Sequence, residues 1–489
     1  MIVLGAIAAT ALVVSSVLLT IADPPEAPIA NPTETLIANQ VIGTGDTWHY
    51  LNPGTAPELT WNQAAYDAAG WSSGASPLGS GDAVATQTGG PNRTMYFRAD
   101  FSIAAETRVH GVRVSVRADD GAILYLNGSR ITTINMPDTP VSYDTPAAAV
   151  EPTDGQRWQT IDVPAALLVV GRNVLAAELH PSFSGTWISS DATFDATLTY
   201  TEWTTFGGAL IMSDDFAGDT LDRTRWRAYN NSYGSDHTTV HCNKPENVTL
   251  ANGIATIAPA RTSIICPDGL VMNYTTGFFA SRDVGVHYPL FGRYEARLKV
   301  PQGQGLWPGF WLRHRLGSST AEVDLMESFH ATDSGTIRQS IHFPNTTGRN
   351  VAKTSVPIES AASGDGDWHI YAVDIRQLTP GDLTTMLFIF YMDGFETLRY
   401  THTNAATITA GDLSAGWDIA FSYYLGGTYI GHPDRDLGYL PHLNGGVCAQ
   451  TGAPPANGYP ASCPTAGTWL APWPSTQFQI DYVRVYQPT

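Results

Sequence analysis

The chain is dominated by short segments in which apolar and polar residues alternate, and no long helical period competes with them. In RVHGVRVSVR, Val112, Val114 and Val116 alternate with polar residues, and RYEARLKV (293–300) follows the same rule. Successive side chains of a β-strand point to opposite faces, so each segment can bury one face and keep the other polar. The pattern predicts an all-β fold made of two β-sandwiches.

Asp-Gly pairs predict two hairpin turns between strand segments. Asp393-Gly394 lies inside MLFIFYMDGFETLRY and predicts a β-hairpin. Asp119-Asp120-Gly121 lies between RVSVRA and AILYLNG, and it predicts a second hairpin turn.

A change in composition near residues 201–207 divides the chain. The part before it has no cysteine and forms a run of short strand segments, whereas cysteines and denser aromatic residues follow it. We therefore predict a smaller β-sandwich over 35–202 and a larger one over 205–489, both of ordinary size for single β-domains.

The N-terminus has the character of a targeting segment. Residues 2–21 are apolar, Thr20-Ile21-Ala22 resembles a small-residue cleavage site, and a Pro-rich linker follows over 23–34. A signal peptide over 1–22 is predicted. An uncleaved anchor is the alternative, because about 20 apolar residues can span a bilayer. Either interpretation predicts a secreted or cell-surface protein.

Four cysteines fit an exported protein. Cys242 is near Cys266 in sequence and Cys448 is near Cys463, so two local disulfides are predicted among three connectivities. No C-x-x-C pair is present to indicate a zinc site.

The formal net charge is −19, and 43% of the residues are apolar. The apolar share excludes a disordered chain. The charge argues against binding to nucleic acid or to anionic membrane surfaces. We expect no nucleic-acid partner, no membrane contact beyond the N-terminal segment, and a monomer.

The segment AEVDLMESFH (321–330) places three carboxylates, Glu322, Asp324 and Glu327, in an otherwise apolar run. On a regular strand, Glu322 and Asp324 would share a face and Glu327 would point the other way. One extra residue between Asp324 and Glu327, a β-bulge, would return Glu327 to their face. The spacing predicts a bulged strand whose three acids line one groove.

Crowded carboxylates are costly unless their pKa values differ. Glycoside hydrolysis uses such a difference, with one carboxylate as nucleophile and another kept protonated as general acid. Two glutamates five residues apart can lean together to the roughly 5–5.5 Å of a retaining enzyme. A solvated acidic edge and a carboxylate calcium site are the alternatives.

The segment GLWPGFWLRHRL (305–316), just upstream, supplies Trp307, Phe310 and Trp311. Aromatic rings beside carboxylates suit a sugar-binding groove, although at alternating spacing some of them are expected in the core. The basic run at 313–315 either meets an anionic sugar or caps a strand end.

The combination of GLWPGFWL and AEVDLMES resembles the signature of glycoside hydrolase family 16, E-[I/V]-D-x-x-E after a Trp-rich segment. DDFAGD, GRYEARLKVP, SIHFP, YMDG and QIDYVRVYQ are similar to further family segments, over about residues 211–487. The resemblance implies a concanavalin A-like jelly roll whose concave sheet binds a polysaccharide.

The same resemblance implies that Glu322 is the nucleophile, Glu327 the general acid/base and Asp324 the assisting carboxylate. It implies a retaining endo-glycosidase that needs no cofactor for its chemistry, and the six-residue motif resembles the laminarinase branch, which favours β-1,3-glucan. Departures at GSSTA before the first glutamate and at Ile375 leave a β-galactan or agar hydrolase and a transglycosylase open. A non-catalytic lectin is the alternative of another class.

The resemblance also implies substrate-binding and metal-binding residues. His342 matches a histidine near the acid/base, with a packed core histidine as the alternative. The substrate-binding candidates are Trp307, Trp311, His342 and Arg297, and a structural calcium would use Asp215 and Asp481.

The first domain resembles a galactose-binding-like jelly roll through GWSSGASPLGSGD, MYFRADF and RADDGAILYLNG, over nearly all of about residues 40–200. This favours a carbohydrate-binding role. Trp48, Trp71 and Trp187 are equally suited to its core.

Overall fold

The computed structural model describes residues 34–90, 92–184, 187–233, 239–301, 305–316, 319–328, 337–344, 350–354, 367–379, 385–403, 416–426 and 477–488. Across these residues, no helix has the length and apolarity required to cross a bilayer. The predicted signal segment and the cysteines Cys448 and Cys463 lie outside the described residues.

The N-terminal part is built on two packed sheets, with a small two-stranded sheet of β12 and β13 beside them. Its strands are β1 (Glu34–Ile42), β2 (Thr47–Leu51), β3 (Ser72–Ala75), β4 (Leu78–Ser80), β5 (Thr86–Gln87), β6 (Met95–Ile103), β7 (Val109–Asp119), β8 (Gly121–Leu126), β9 (Ser129–Ile134), β10 (Gln159–Val163), β11 (Gly171–His180), β12 (Phe183–Ser184), β13 (Trp187–Ile188) and β14 (Ala192–Thr205). One sheet has the order β10-β7-β14-β4-β5, with β1 also paired to β14, and the other has the order β3-β2-β6-β11-β8-β9.

The C-terminal part is a second, larger sandwich. Its strands are β15 (Gly208–Asp214), β16 (Arg227–Ala228), β17 (His241–Asn243), β18 (Val248–Ala251), β19 (Ile254–Ile257), β20 (Ile264–Ile265), β21 (Val271–Met272), β22 (Tyr274–Thr276), β23 (Phe278–Ala280), β24 (Gly292–Lys299), β25 (Leu306–Leu316), β26 (Ser319–Ser328), β27 (Ile337–Pro344), β28 (Asn350–Thr354), β29 (Trp368–Gln377), β30 (Thr385–Met392), β31 (Phe395–Thr403), β32 (Asp418–Leu425) and β33 (Phe478–Pro488). Short 3-10 helices span Ala165–Leu167, Pro245–Asn247 and Arg282–Val284.

Two sheets of the C-terminal sandwich enclose its main core. The back sheet has the order β18-β19-β33-β24-β29-β30-β31, with β15 also paired to β33. The acid sheet, which carries the three-acid segment, has the order β16-β23-β32-β25-β26-β27-β28. The architecture confirms the predicted all-β class with two sandwiches.

The predicted alternation is confirmed in both sandwiches. Val112, Val114 and Val116 of β7 lie in the N-terminal core. Tyr294, Ala296 and Leu298 of β24 lie in the C-terminal core, so the polar residues between them point away from it. Burial of one face therefore sets the orientation of each strand.

The hairpin predicted at Asp393-Gly394 is confirmed. These two residues connect β30 to β31, and their φ angles are 51° and 81°. Two consecutive positive φ values are what a two-residue hairpin loop requires, because they match the twist of the flanking strands.

The hairpin predicted at Asp119-Asp120-Gly121 is wrong. Strand β7 pairs with β10 and β14, whereas β8 pairs with β9 and β11 in the other sheet. The Asp120 carboxylate accepts the backbone N–H groups of Glu151 (2.7 Å) and Ser182 (2.6 Å). The segment is therefore a corner between two sheets, held by neighbouring loops.

Sheet membership changes between Thr205 and Gly208, within a few residues of the predicted boundary. The disulfide predicted between Cys242 and Cys266 is present. It ties two loop-rich stretches of the C-terminal sandwich together.

The N-terminal sandwich packs on the back sheet. Thr35 Oγ1 donates a buried hydrogen bond to Glu295 Oε2 (2.6 Å), and the Arg113 guanidinium lies 4.1 Å from the Phe395 ring centroid. Glu295 is on the face of β24 that points away from the C-terminal core. The acid sheet lies on the other side of that core, so the N-terminal sandwich does not cover it.

Candidate active site

The strand register places one extra residue between Asp324 and Glu327. In the pairing of β26 with β25, Trp311 lies opposite Asp324 and Gly309 lies opposite Glu327. Two residue steps along β25 therefore correspond to three along β26. The pairing of β26 with β27 shifts at the same place. The two residues between the acids are fully buried in the core. The predicted β-bulge is confirmed, and it returns Glu327 to the face of Glu322 and Asp324.

The face of the acid sheet that carries the three acids points away from the main core, as the contacts of Trp307 and Trp311 show. Trp307 Nε1 donates to Glu327 Oε1 (3.0 Å). Trp311 Nε1 donates to Ser422 Oγ (3.0 Å). Phe310, between them in alternation, lies in the main core. Trp307 and Trp311 thus flank the acids, and Phe310 is the aromatic residue that packs inside.

Asp324 is held by two donors on β27. Ser340 Oγ donates to Asp324 Oδ2 (2.6 Å), and His342 Nε2 lies 3.2 Å from the same oxygen. Its hydrogen bond to Asp324, followed by the charge of that residue, raises the pKa of His342, which favours the imidazolium. His342 pairs in register with Glu322, so it lies nearer the predicted nucleophile than the predicted acid/base.

The two glutamates differ in proton affinity. Burial, followed by the Asp324 charge, raises the pKa of Glu322 to about 7, while Arg313 and His342 oppose the rise. Burial and the charges of Asp324 and Glu322 raise the pKa of Glu327 well above its usual range. As the pH rises, Glu322 therefore ionises before Glu327, which keeps its proton. Catalysis by two carboxylates needs this difference, with one group ionised and the other protonated.

Arg313 is a site residue whose role the sequence left open. It pairs in register with Glu322, its guanidinium lies 5.8 Å from the Trp311 ring centroid, and it donates to the Tyr233 hydroxyl. Alternation from Trp307 and Trp311 was the available signal, because residues two apart share a face. Tyr233 comes from a distant loop and had no such signal.

The structure does not bring Arg297 to the acids. Arg297 lies on the back sheet, where it forms a buried ion pair with Asp481 (2.8 Å) and packs against the Trp368 ring. Alternation predicts which residues share a face, but it does not predict which sheet carries that face.

The calcium predicted at Asp215 and Asp481 finds little support in the geometry. Asp481 is buried and already neutralised by Arg297, and Asp215 is exposed. Within the described residues, neither acid belongs to a cluster of three ligand groups. This calcium stays a prediction.

Metal binding at the acids themselves was a further alternative. One ligand atom each from Glu322, Asp324 and His342 lie within 4.8 Å of one another, a spacing that a cation could use. His342 Nε2 lies 3.2 Å from Asp324 Oδ2, and the imidazole supplies a positive charge there when it is protonated. Two glutamates on one face, with unequal pKa shifts and one of them hydrogen-bonded to a tryptophan, match the carboxylate pair that glycoside hydrolysis uses.

Comparison with known families agrees with this interpretation of the glutamate pair. Residues 225–423, which include nearly all of the acid sheet, match the family described as glycosyl hydrolases family 16. This part of the chain is therefore similar to that family.

Three similar proteins illustrate the likeness. The glucan endo-1,3-beta-glucosidase A1 of Niallia circulans is 25% identical over 195 residues, covering 34% of this chain and 27% of that protein. The keratan-sulfate endo-1,4-beta-galactosidase of Sphingobacterium multivorum is 24% identical over 287 residues, covering 57% and 55%. The X-ray structure of endo-beta-1,3-glucanase from Pyrococcus furiosus superposes with a TM-score of 0.42 at 20% identity, covering 57% and 94%. The chain therefore spans about a quarter of the first relative and about half of the second.

Proposed function

We propose that the protein is a secreted, retaining endo-glycosidase that hydrolyses a β-linked polysaccharide, with β-1,3-glucan as its substrate. The observation that carries the proposal is the bulge that puts Glu322 and Glu327 on one face with unequal pKa values. The apolar segment at residues 2–21 supports export.

In the first step, the Glu322 carboxylate attacks the anomeric carbon while the glycosidic C–O bond breaks. Glu327 donates its proton to the leaving oxygen, and a glycosyl ester forms on Glu322. Glu322 suits the attacking role because it loses its proton at lower pH than Glu327. Asp324 is a positioning residue, held by Ser340 and His342 between the two glutamates.

In the second step, the ionised Glu327 takes a proton from water, whose oxygen attacks the anomeric carbon and releases Glu322. Two inversions return the starting configuration, so the product retains the β-anomer. Trp307 serves both steps: its N–H contacts Glu327, and its ring is available to pack on a sugar.

The choice of β-1,3-glucan rests on the six-residue acid motif and on the similarity to the Niallia circulans glucanase. A β-galactan is the second candidate. It is favoured by Arg313, whose cation on the acid face can pair with an anionic substituent, and by the similarity to a keratan-sulfate galactosidase over 57% of the chain.

Reducing-end release from a panel of neutral and acidic polysaccharides tests the proposal, with Glu322→Gln and Glu327→Gln assayed beside the wild type. We expect laminarin cleavage that each variant lowers by roughly a thousandfold or more, because each removes a group that touches the reacting atoms. Proton NMR of the first product should show the β-anomer. An initial α-anomer would refute the retaining mechanism, and cleavage of galactan alone would move the substrate to the second candidate.

Binding measurements separate the enzyme from a lectin. Glu322→Gln is nearly isosteric, so an enzyme should still bind laminarin oligosaccharides while losing turnover. No turnover of any glycan by the wild type, together with equal binding by wild type and variant, would indicate a non-catalytic lectin instead.

A further inference from the structure

Tyr233 lies on the acid face although it comes from a loop after β16 and not from a strand of the acid sheet. Arg313 donates to its hydroxyl, and its ring is stacked 5.4 Å from the ring of Phe278. It packs against both aromatic clusters of this face, the one that contains Trp311 and the one that contains Trp307. Tyr233 therefore lies between the tryptophans that flank the acids.

The ring of Tyr233 is partly exposed, so a ligand in the groove can reach it. Aromatic rings pack on the apolar C–H faces of sugars. Arg313 lies opposite Glu322 in the strand register and bonds to the Tyr233 hydroxyl, so one side chain separates this ring from the predicted nucleophile. The ring is thus placed to contact the sugar bound beside Glu322.

Strand β17 provides a first anchor for the loop of Tyr233. Asn231 and Asn243 exchange backbone hydrogen bonds of 3.2 and 2.7 Å. Asn243 Nδ2 also donates to the backbone oxygen of Tyr233 (3.3 Å). Asn243 ends β17 and directly follows Cys242. The position of Tyr233 therefore depends on the segment that carries the first cysteine of the disulfide.

Asp268 provides a second anchor. The backbone N–H of Ser232 donates to Asp268 Oδ2 (3.1 Å), and the Ser232 hydroxyl donates to the same oxygen. Partial burial opposes ionisation, but the hydrogen bonds from Ser232 lower the pKa of Asp268 below its usual value. The carboxylate is therefore ionised at neutral pH, and hydrogen bonds to a charged acceptor are the stronger kind. Asp268 lies two residues after Cys266, in a turn closed by a 2.8 Å bond from the Gly269 N–H to the Cys266 carbonyl.

The disulfide joins these two anchors. The Cα atoms of Cys242 and Cys266 are 5.8 Å apart, and both side chains are buried in a small core with Met272. Strand β17 pairs with β22 and β20 pairs with β21, so strand pairing does not join the two anchors directly. The covalent bond fixes their separation, and with it the position of the loop that hydrogen-bonds to both.

We propose that Tyr233 binds the sugar beside Glu322, and that Asp268 and the Cys242–Cys266 disulfide position it there. The choice of a sugar as ligand rests on the proposed glycosidase function, whereas the positioning does not depend on turnover. Tyr233 contacts the sugar and not the reacting atoms, so its binding energy is present in both the ground state and the transition state. Its loss should therefore raise KM more than it lowers kcat.

The test measures kcat and KM of the full chain, well below the unfolding midpoint of each variant, on the polysaccharide that the wild type cleaves. Tyr233→Ala removes the ring, and Asp268→Ala removes the second anchor. A double variant, Cys242→Ser with Cys266→Ser, removes the link between the anchors.

Asp222→Ala is the matched control for Asp268→Ala. The Asp222 carboxylate also accepts a backbone N–H and a hydroxyl, both from Thr224, in a turn of the same sandwich. Its loss costs the same kinds of hydrogen bond but leaves the loop of Tyr233 untouched, so its KM should equal that of the wild type.

We expect Tyr233→Ala to raise KM by roughly tenfold, the effect of one lost aromatic contact, with kcat within about threefold of the wild type. Asp268→Ala and the double cysteine variant should each raise KM by about threefold or more. Added to Tyr233→Ala, neither should raise KM further, because both act through Tyr233. This lack of additivity distinguishes positioning from a general loss of stability.

Hydrogen exchange of peptides that contain residues 229–233 gives a readout that needs no substrate. Asp268→Ala should speed exchange in these peptides, because the Ser232 N–H loses its acceptor, and should leave β26 unchanged. Unchanged exchange would reject Asp268 as an anchor. If the double cysteine variant fails to fold, Asp268→Ala decides, since its side chain is exposed.

Two kinetic results would overturn the proposal. An unchanged KM in Tyr233→Ala would show that Tyr233 does not bind the sugar. Additive rises in KM would show that Asp268 and the disulfide do not act through Tyr233. If the wild type cleaves no glycan, the proposed function fails, and Kd for laminarin oligosaccharides replaces KM. Absence of binding as well would reject the sugar contact of Tyr233, while the exchange experiment would still decide its positioning.

Discussion

Replacing Arg313 with methionine would remove the cation that faces Glu322 across strands β25 and β26. The charges of Arg313 and His342 hold the pKa of Glu322 below the value that burial and Asp324 alone would produce. Removing the Arg313 charge should therefore raise the pKa of Glu322 further above its present value of about 7.

The size of the shift follows from the contacts of Arg313. An opposite charge within roughly 4–6 Å lowers a carboxyl pKa by about 1–3 units. Arg313 is partly exposed and also donates to the Tyr233 hydroxyl, so solvent screens part of its charge. We expect the lower end of that range, a rise of about one unit, which corresponds to about 1.4 kcal/mol.

The consequence appears in the acid limb of the pH profile of kcat/KM. The proposed mechanism needs Glu322 ionised and Glu327 protonated, so activity should fall as the pH drops through the pKa of Glu322. In Arg313→Met this fall should begin about one unit higher. Well below the limb, kcat/KM should be about tenfold lower than in the wild type, beyond any constant loss of substrate binding. The basic limb, set by Glu327, should move little.

Two variants serve as controls. Arg313→Lys keeps the charge and should leave the acid limb in place, and Tyr233→Phe removes the hydrogen bond without changing the charge on Arg313. Equal shifts in Arg313→Met and Arg313→Lys would show that the charge is not the cause. An unmoved limb in Arg313→Met would refute the electrostatic action of Arg313 on Glu322.

Three further predictions concern other contacts. Trp307→Phe keeps a ring but removes the N–H that lowers the pKa of Glu327. A hydrogen bond to a carboxylate contributes about 1.5–3 kcal/mol, so the basic limb of the pH profile of kcat/KM should move up by about 1–2 units. An unmoved basic limb would contradict this. Replacing both Cys242 and Cys266 with serine should lower the free energy of unfolding, measured in denaturant, by about 3 kcal/mol, since the disulfide spans 24 residues. As a control, the reduced wild type and the variant should be equally stable. A loss below about 1 kcal/mol would contradict the loop-entropy argument. Trp48→Ala should destabilise the N-terminal sandwich by about 3–5 kcal/mol, because Trp48 is fully buried, while kcat at low temperature should be unchanged.

The three acids were the part of the candidate site most accessible from sequence. Spacing alone required a bulge to place Glu322, Asp324 and Glu327 on one face, and the register shows that bulge. Alternation also predicted that some of the aromatic residues of β25 would pack in the core, and Phe310 does so. These inferences succeeded because a strand's side chains alternate with a fixed period, whatever the strand pairs with.

The errors arose where pairing partners matter. Arg297 alternates as predicted, yet its face belongs to the back sheet, where Asp481 neutralises it. Asp119-Asp120-Gly121 contains an ordinary hairpin dipeptide, but β7 and β8 belong to different sheets. Local turn chemistry cannot show whether a chain doubles back beside itself or crosses to another layer.

The sequence by itself determined the all-β class and the acid motif, because each depends on residues close together in the chain. Only the tertiary structure decided that Tyr233 and Arg313 meet beside Glu322 and that Asp268 contacts the loop that carries Tyr233. It also placed the N-terminal sandwich behind the back sheet, away from the acids. The physical reason is that these contacts join segments far apart in sequence, and long-range strand pairing and burial, which no local pattern records, bring them together.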